Sequence, residues 1–190
     1  MNKDILLCGV GGQGTVLASK ILAAAAMNAG ETVHSAETIG MAQRGGSVTS
    51  HVRIGESYSP LIPIGNADII MAFEPSEAVR NLEFLKADGI VIVNRVPVKP
   101  VTEALKDTGY DGSEMIEYLR KKCNCIVVDS GAFESARFLN VGMLGVAVGC
   151  GKLGFDKQQI LYEIEKRVPR KYLEVNKKAF EKGIEMGERR

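Results

Sequence analysis

Residues 3–36 read KDILLCGVGGQGTVLASKILAAAAMNAGETVHSA, and this segment carries the strongest structural signal in the chain. An apolar run of strand length (3–8) ends at a glycine-rich turn, and good helix formers follow from residue 13 to residue 28. Gly30 is suited to end that helix, and residues 32–36 again have the pattern of a short strand. Strand, glycine loop, helix and strand together predict a βαβ unit.

The segment that follows departs from this parallel pattern. Residues 47–54 alternate apolar and polar side chains, as a half-buried strand does. The nine-residue link before them, 38–46, has no helical period. Because a parallel crossover needs a dozen or more residues, we expect strand 47–54 to run antiparallel to a neighbour.

The remainder of the chain continues the α/β pattern without a linker. Three more apolar runs have the length of buried strands: 68–73, 90–93 and 125–128. Five segments have helical character: 76–86, 113–122, 133–151, 156–167 and 170–187. We therefore predict one α/β domain over residues 1–190, a Rossmann-like three-layer fold with a mixed, mainly parallel sheet and a helical C-terminus.

Three glycines recur in the most apolar of these helical segments. Gly142, Gly145 and Gly149 are spaced three and four residues apart, which places them on one helical face. Glycines so placed allow a second backbone to approach closely. This spacing favours close packing inside the domain, with another subunit as the alternative partner.

The glycine loop, GVGGQG at residues 9–14, contains the pattern G-x-G-x-x-G between a strand and a helix. Such glycines permit a tight turn and let backbone N–H groups at the helix start approach a phosphate. The residues that we expect to contact a cofactor are Gly9, Gly11, Gly12, Gln13 and Gly14. Three interpretations stay open: a dinucleotide site, a site for another phosphate-bearing ligand, and a turn that only packs helix on strand. The dinucleotide site also needs an acidic residue at the end of the second strand, and Glu37 is the best-placed candidate.

A second candidate segment is Gln43-Arg44-Gly45-Gly46, on the link after the second strand. In open α/β sheets, ligands bind at the carboxyl ends of the parallel strands, and this link begins there. Glycines beside an arginine allow the guanidinium to approach an anion. We predict that Gln43, Arg44, Gly45 and Gly46 face a partner or a substrate, the alternative being an exposed turn with a solvated arginine.

Composition excludes several classes of protein. The formal net charge of +1 from 24 basic and 23 acidic residues is too small for nonspecific nucleic-acid binding. The four cysteines, Cys8, Cys123, Cys125 and Cys150, lack the spacing of iron–sulfur or zinc ligands, so no metal site is expected. No apolar stretch has the length of a membrane helix, and the N-terminus lacks a signal-peptide pattern. We expect a cytoplasmic protein with reduced thiols.

Three segments together resemble one family. They are GVGGQG at 9–14, GMAQRGGSVTSHVR at 40–53 and NKKAFEKG at 176–183. The chain resembles, over its whole length, the gamma-type domain family of 2-oxoacid:ferredoxin oxidoreductases, and within it the small subunits of indolepyruvate ferredoxin oxidoreductases. The GMAQRGG segment is the specific part of this resemblance.

The resemblance implies oxidative decarboxylation of an aryl pyruvate to an acyl-coenzyme A, with electrons passed to ferredoxin. It implies that thiamine diphosphate, magnesium and the iron–sulfur clusters lie on a larger alpha subunit and that coenzyme A is a co-substrate. The chain carries no sequence motif for those cofactors, so we expect a companion subunit that is inactive alone and has no catalytic residue of its own. The alternatives are an NAD-dependent dehydrogenase and a nucleotide-sensing module that uses the glycine loop.

Overall fold

The computed structural model describes residues 1–38, 46–98 and 109–189. In chain order, the strands among them are β1 (Lys3–Val10), β2 (Val33–Thr38), β3 (Ser47–Ile54), β4 (Ala67–Ala72), β5 (Leu85–Asn94) and β6 (Asn124–Val128). The helices are α1 (Thr15–Asn28), α2 (Pro75–Arg80), α3 (Ser113–Lys122), α4 (Leu139–Gly149), α5 (Lys157–Arg167) and α6 (Arg170–Glu188).

The described strands form one sheet in the order β2-β3-β1-β4-β5-β6. Strand β3 is antiparallel to both of its neighbours, β1 and β2, whereas β1, β4, β5 and β6 are mutually parallel. The predicted mixed, mainly parallel sheet is therefore confirmed, and so is the antiparallel direction of residues 47–54. The short link before β3 left the chain no room for a crossover helix.

Helices cover both faces of the sheet. Alternate residues of β1 point to opposite sides: Ile5 and Leu7 join the apolar cluster beneath α1, α4, α5 and α6, and Leu6 and Cys8 join the cluster beneath α2 and α3. The central strands are buried on both faces, as parallel strands between helical layers are. No helix among the described residues has both the length and the apolar character needed to cross a membrane.

One predicted helix is shorter than the sequence pattern suggests. The expected helix 76–86 ends at Arg80, and after a 3₁₀ turn (Leu82–Phe84) strand β5 begins at Leu85. The side chain of Asn81 donates from Nδ2 to the carbonyl of Glu77 at 2.8 Å, a local bond that competes with helix continuation. The strand predicted at 90–93 is part of a longer strand, because β5 already begins at Leu85.

Helices α4 and α6 pack backbone to backbone. Gly145 and Gly149 of α4 face Phe180 and Ile184 of α6, so closely that a Cβ atom on either glycine would overlap a carbonyl oxygen of α6. A Cβ atom on Gly183 of α6 would likewise overlap the carbonyl oxygen of Gly142 in α4. The glycine spacing thus serves packing inside the domain, and it fixes the C-terminal helix on the core.

Replacing Gly145 by alanine is expected to lower the free energy of unfolding by about 1–3 kcal/mol, because the two helices must move apart. In an unobstructed helix the same change stabilises by about 0.5–1 kcal/mol. Urea denaturation measures the difference. The control is Lys178→Ala on the exposed side of α6, expected to lie within about 0.5 kcal/mol of the parent. Equal stability of Gly145→Ala and the control would contradict this packing account.

The loop between β3 and β4 is held by two side chains of β3. Arg53 forms a fork with Asp4 (Nε to Oδ1, 2.9 Å) and also donates to the carbonyls of Ser59 and Leu61. His51 accepts the backbone N–H of Ile62 at Nδ1 (3.2 Å). Burial, and secondarily the charge of Arg53, lowers the pKa of His51.

Because the folded state disfavours protonated His51, its contribution to stability is present above the unfolded pKa of about 6.5. That contribution is lost as the pH falls from there through the lower folded pKa. Unfolding measured between pH 7.5 and pH 5 should therefore show a steeper loss of stability in the parent than in His51→Gln. If the free energy of unfolding of His51→Gln fell with pH as steeply as that of the parent, stability would not depend on the protonation of His51.

Candidate functional site

The glycine loop lies at the carboxyl end of β1, where it turns the chain into α1. Gly12 and Gly14 have φ values of 98° and 83°, a region that side-chain-bearing residues rarely occupy. Gly14 is the N-cap of α1, and no side chain caps that helix or places a carboxylate in its first turn. The amides of this first turn have no partner within the helix.

Gln13 fills the interior of the loop. Its Oε1 accepts the N–H of Val10 at 2.8 Å, and its Nε2 donates to the carbonyl of Phe73 at the end of β4, at 2.9 Å. A Cβ on Gly9 would lie 2.6 Å from that Oε1, so a larger residue at this position would displace the Gln13 side chain. Gln13 therefore ties the ends of β1 and β4 together, a role that the sequence pattern did not indicate.

Gly46, the last residue of the second candidate segment, directly precedes β3 and lies beside the glycine loop. The N–H of Gly11 donates to the carbonyl of Gly46 at 2.9 Å, and Ser47 is paired with Val10 in the sheet. The structure thus brings Gly46 to the glycine loop. Gln43, Arg44 and Gly45 lie outside the described residues.

The candidate ribose acid lies apart from the loop. Glu37 is near the end of β2, and β3 separates β2 from β1, so two strand spacings, about 10 Å, lie between them. The exposed Glu37 instead accepts a hydrogen bond from Ser19 of α1 at 3.2 Å. This strand order disfavours the dinucleotide interpretation, which requires the acid beside the glycine loop.

Two buried carboxyl side chains lie beside the same edge, on the α2 side. Glu74 is 1% exposed and accepts hydrogen bonds from the hydroxyl of Tyr110 (2.7 Å) and the N–H of Glu77 (3.0 Å). Glu77 accepts from the hydroxyl of Ser47 at 2.6 Å and pairs with Arg80 at 3.2 Å.

Glu74 and Glu77 are functional candidates that sequence reasoning missed. The sequence did contain a signal for their position, because both lie directly after a buried strand and around Pro75. An acidic residue before a proline is typical of the start of a helix, and Glu74 is the N-cap of α2. Together they bind Ser47 at the start of β3 and Tyr110, which precedes α3. We interpret them as positioning residues for that edge.

Burial disfavours the reactive thiolate form of two cysteines, Cys8 at this edge and Cys125 in β6. Burial, with smaller contributions from Glu77 and Glu74, raises the pKa of the Cys8 thiol far above its ordinary value. Burial raises the pKa of Cys125 to about 11. Within residues 1–38, 46–98 and 109–189, no three metal-ligating side chains converge.

Tyr110→Phe removes the donor to Glu74 and leaves one oxygen of a buried carboxyl group without that partner. We expect a loss of about 1–3 kcal/mol in the free energy of unfolding, measured by urea denaturation. Tyr118→Phe is the matched control, because Tyr118 is 44% exposed and its hydroxyl makes no hydrogen bond to the described residues. A Tyr110→Phe protein as stable as this control would show that the Glu74 contact contributes nothing.

Comparison with known proteins places this fold in a family. The sequence matches the model of the family described as pyruvate ferredoxin/flavodoxin oxidoreductase over residues 4–186. It is 38% identical over 189 residues to indolepyruvate oxidoreductase subunit IorB of Archaeoglobus fulgidus, covering 96% of this chain and 94% of that protein.

Solved structures agree with the sequence match. The fold is similar to that of pyruvate oxidoreductase subunit PORC from Thermotoga maritima (TM-score 0.71, 27% identity, 97% of this chain and 96% of that chain). The same fold occurs inside a longer chain, the 2-oxoglutarate:ferredoxin oxidoreductase from Magnetococcus marinus (TM-score 0.75, 19% identity, 100% of this chain and 31% of that chain). The resemblance inferred from the sequence is confirmed, and the chain belongs to the pyruvate ferredoxin/flavodoxin oxidoreductase family.

Proposed function

We propose that this chain is the companion subunit of a 2-oxoacid:ferredoxin oxidoreductase that acts on indolepyruvate or a similar aryl pyruvate. The observation that carries the proposal is the match to an indolepyruvate oxidoreductase subunit along nearly the whole length of both chains. In the overall reaction the 2-oxoacid loses carbon dioxide, coenzyme A takes the acyl group, and two ferredoxins each accept one electron.

Thiamine diphosphate, magnesium and iron–sulfur clusters supply the decarboxylation and electron transfer in this reaction. The cysteines of the described residues do not converge as the ligands of an iron–sulfur cluster. Cys8 lies in the apolar layer beneath α2, Cys150 follows α4, and Cys123 and Cys125 flank the start of β6. We therefore place these cofactors on a larger alpha subunit, through which ferredoxin is reached, and we expect the isolated chain to have no turnover.

The part of this chain that we assign to the partner is the sheet edge built by the glycine loop and the start of β3. Gln13, the Gly11–Gly46 hydrogen bond and the Glu77–Ser47 hydrogen bond hold it in one arrangement. The first turn of α1 presents uncapped amides at this edge, which suit an anionic group such as a coenzyme A phosphate. We assign Gly9, Gly11, Gly12, Gln13 and Gly14 to that contact.

Gln43, Arg44, Gly45 and Gly46 are assigned to the partner or the substrate. Arg44 keeps its charge at every relevant pH and offers a planar fork of donors to a carboxylate or phosphate, which lysine does not reproduce. Its neighbour along the chain, Gly46, is fixed beside the glycine loop. Because Arg44 is only two residues from Gly46 in the sequence, we propose that it acts at the edge that faces the partner's reaction centre.

Arg44→Ala is expected to impair assembly with the alpha subunit, or turnover of the assembled enzyme, by roughly 10- to 150-fold. The loss follows from removing a charge-assisted hydrogen bond, and Arg44→Lys should restore little of it. Copurification with the alpha subunit measures assembly, and the turnover rate of the purified complex measures activity. Arg120→Ala, which removes an exposed arginine on α3, is the control and should match the parent in both.

Two outcomes would contradict the proposal at different levels. If Arg44→Ala assembled and turned over as the parent does, the role assigned to residues 43–46 would be wrong. A native protein found only as a free monomer, with no larger thiamine-containing chain, would overturn the subunit function itself.

A further inference from the structure

Four exposed cations gather where α5 passes into α6. Lys166 lies in the last turn of α5, and Arg170 and Lys171 are the first two residues of α6. Arg137 comes from the turn before α4 and reaches the same place, because it lines one cleft together with Pro169. None of the four forms an ion pair with the residues that the structure describes. We call these four side chains the basic junction.

The carboxyl groups of α5 and of the first half of α6 are bound to other cations. Glu163 is buried and pairs with Arg167 at 3.0 Å. Glu165 pairs with Lys177 at 2.7 Å, and Glu174 lies 3.9 Å from the same lysine. The two helices that carry most of the basic junction therefore leave its positive charge without a counter-charge.

Two of these cations lie at the unfavourable end of a helix. The N-terminus of a helix carries a positive partial charge, and Arg170 and Lys171 occupy the first turn of α6. That turn contains no acidic residue and has no side-chain cap. By contrast, α3 and α5 carry their terminal cations in the last turn, where the helix dipole favours them. A surface that departs from a local rule at a cost in stability is typical of a functional region.

Two exposed tyrosines lie among the cations. The Nζ atom of Lys166 is 4.1 Å from the ring centroid of Tyr162, and that of Lys171 is 4.8 Å from the ring centroid of Tyr172. These tyrosines are 50% and 41% exposed. Tyrosine and arginine are the residue types that protein interfaces favour, and a lysine already held on a ring loses less freedom on binding.

We propose that the basic junction is a docking surface for an acidic segment of a partner protein. Charge complementarity selects this chemistry, because unpaired cations attract carboxylates and the fork of an arginine can hold one by two hydrogen bonds. A protein is favoured over a nucleic acid, since each tyrosine ring already has a lysine over one face and offers less surface to a stacking base. The net charge of +1 for the whole chain points the same way. This inference does not rest on the proposed function.

Titration of the isotope-labelled full chain with a ten-residue peptide of aspartate and glutamate, followed by NMR, tests the docking surface. At about 20 mM salt we expect saturable amide shifts centred on residues 137 and 166–172, with a dissociation constant of about 1 mM or tighter. Raising the salt to about 200 mM should weaken binding about tenfold, because exposed charges are screened. The double variant Arg170→Glu/Lys171→Glu should weaken it at least tenfold. The same variant should raise the melting temperature by about 2–4 °C, because carboxylates then lie at the start of α6.

The matched control is Arg120→Glu/Lys121→Glu, which reverses two exposed cations at the end of α3 and changes the net charge by the same amount. It should keep the parental affinity for the peptide, and its melting temperature should fall, because these cations lie at the favourable end of their helix.

The proposal would be overturned by the absence of saturable shifts up to about 5 mM peptide, or by an equal loss of affinity in the two double variants. Tighter binding of a 20-base-pair DNA duplex than of the peptide at the same residues would also overturn it, in favour of a nucleic acid. A lower melting temperature of Arg170→Glu/Lys171→Glu would contradict the unfavourable placement of these cations. All of these measurements use the free chain, so their failure would leave assembly and turnover with the alpha subunit as a separate question.

Discussion

Strand β3 runs antiparallel between β1 and β2, and the arrangement of the sheet edge depends on this pairing. Its register sets Val10 opposite Ser47 at one end and Lys3 opposite Ile54 at the other. Gly46, which directly precedes β3, therefore lies beside the glycine loop, where its carbonyl accepts the N–H of Gly11. The same insertion separates Glu37 from β1 and removes the acid that a dinucleotide site would need.

Buried polar groups complete the edge that this pairing creates. Glu74 and Glu77 are nearly inaccessible to solvent, and burying a carboxyl group costs stability unless hydrogen bonds satisfy it. Their partners come from α2 itself, from Ser47 and from Tyr110. Folding of the core and placement of the edge are therefore coupled through the same few hydrogen bonds.

Local patterns in the sequence were sufficient for most of the fold. The alternation in residues 47–54 and the short link before them predicted β3 and its direction, and helix α3 begins and ends where its pattern indicated. The helix expected at 76–86 was wrong because Asn81 bonds to its own turn, an interaction that apolar spacing does not reveal. The roles of Gln13 and Glu74 depend on hydrogen bonds to Phe73 and Tyr110, which are distant in the sequence, so no local pattern indicates them. The roles of Gln43, Arg44 and Gly45 stay predictions.

The central claim is that the edge formed by the glycine loop and the start of β3 contacts a larger subunit. Hydrogen–deuterium exchange of the free chain and of its complex with the alpha subunit tests this claim most directly. Within residues 11–17, the amides of residues 15–17 form the first turn of α1, have no partner within the helix and should exchange rapidly in the free chain. The account predicts that the complex slows exchange in residues 11–17 and 46–47 and leaves α3 unchanged. Slower exchange confined to α3 and β6, with residues 11–17 unaffected, would contradict it.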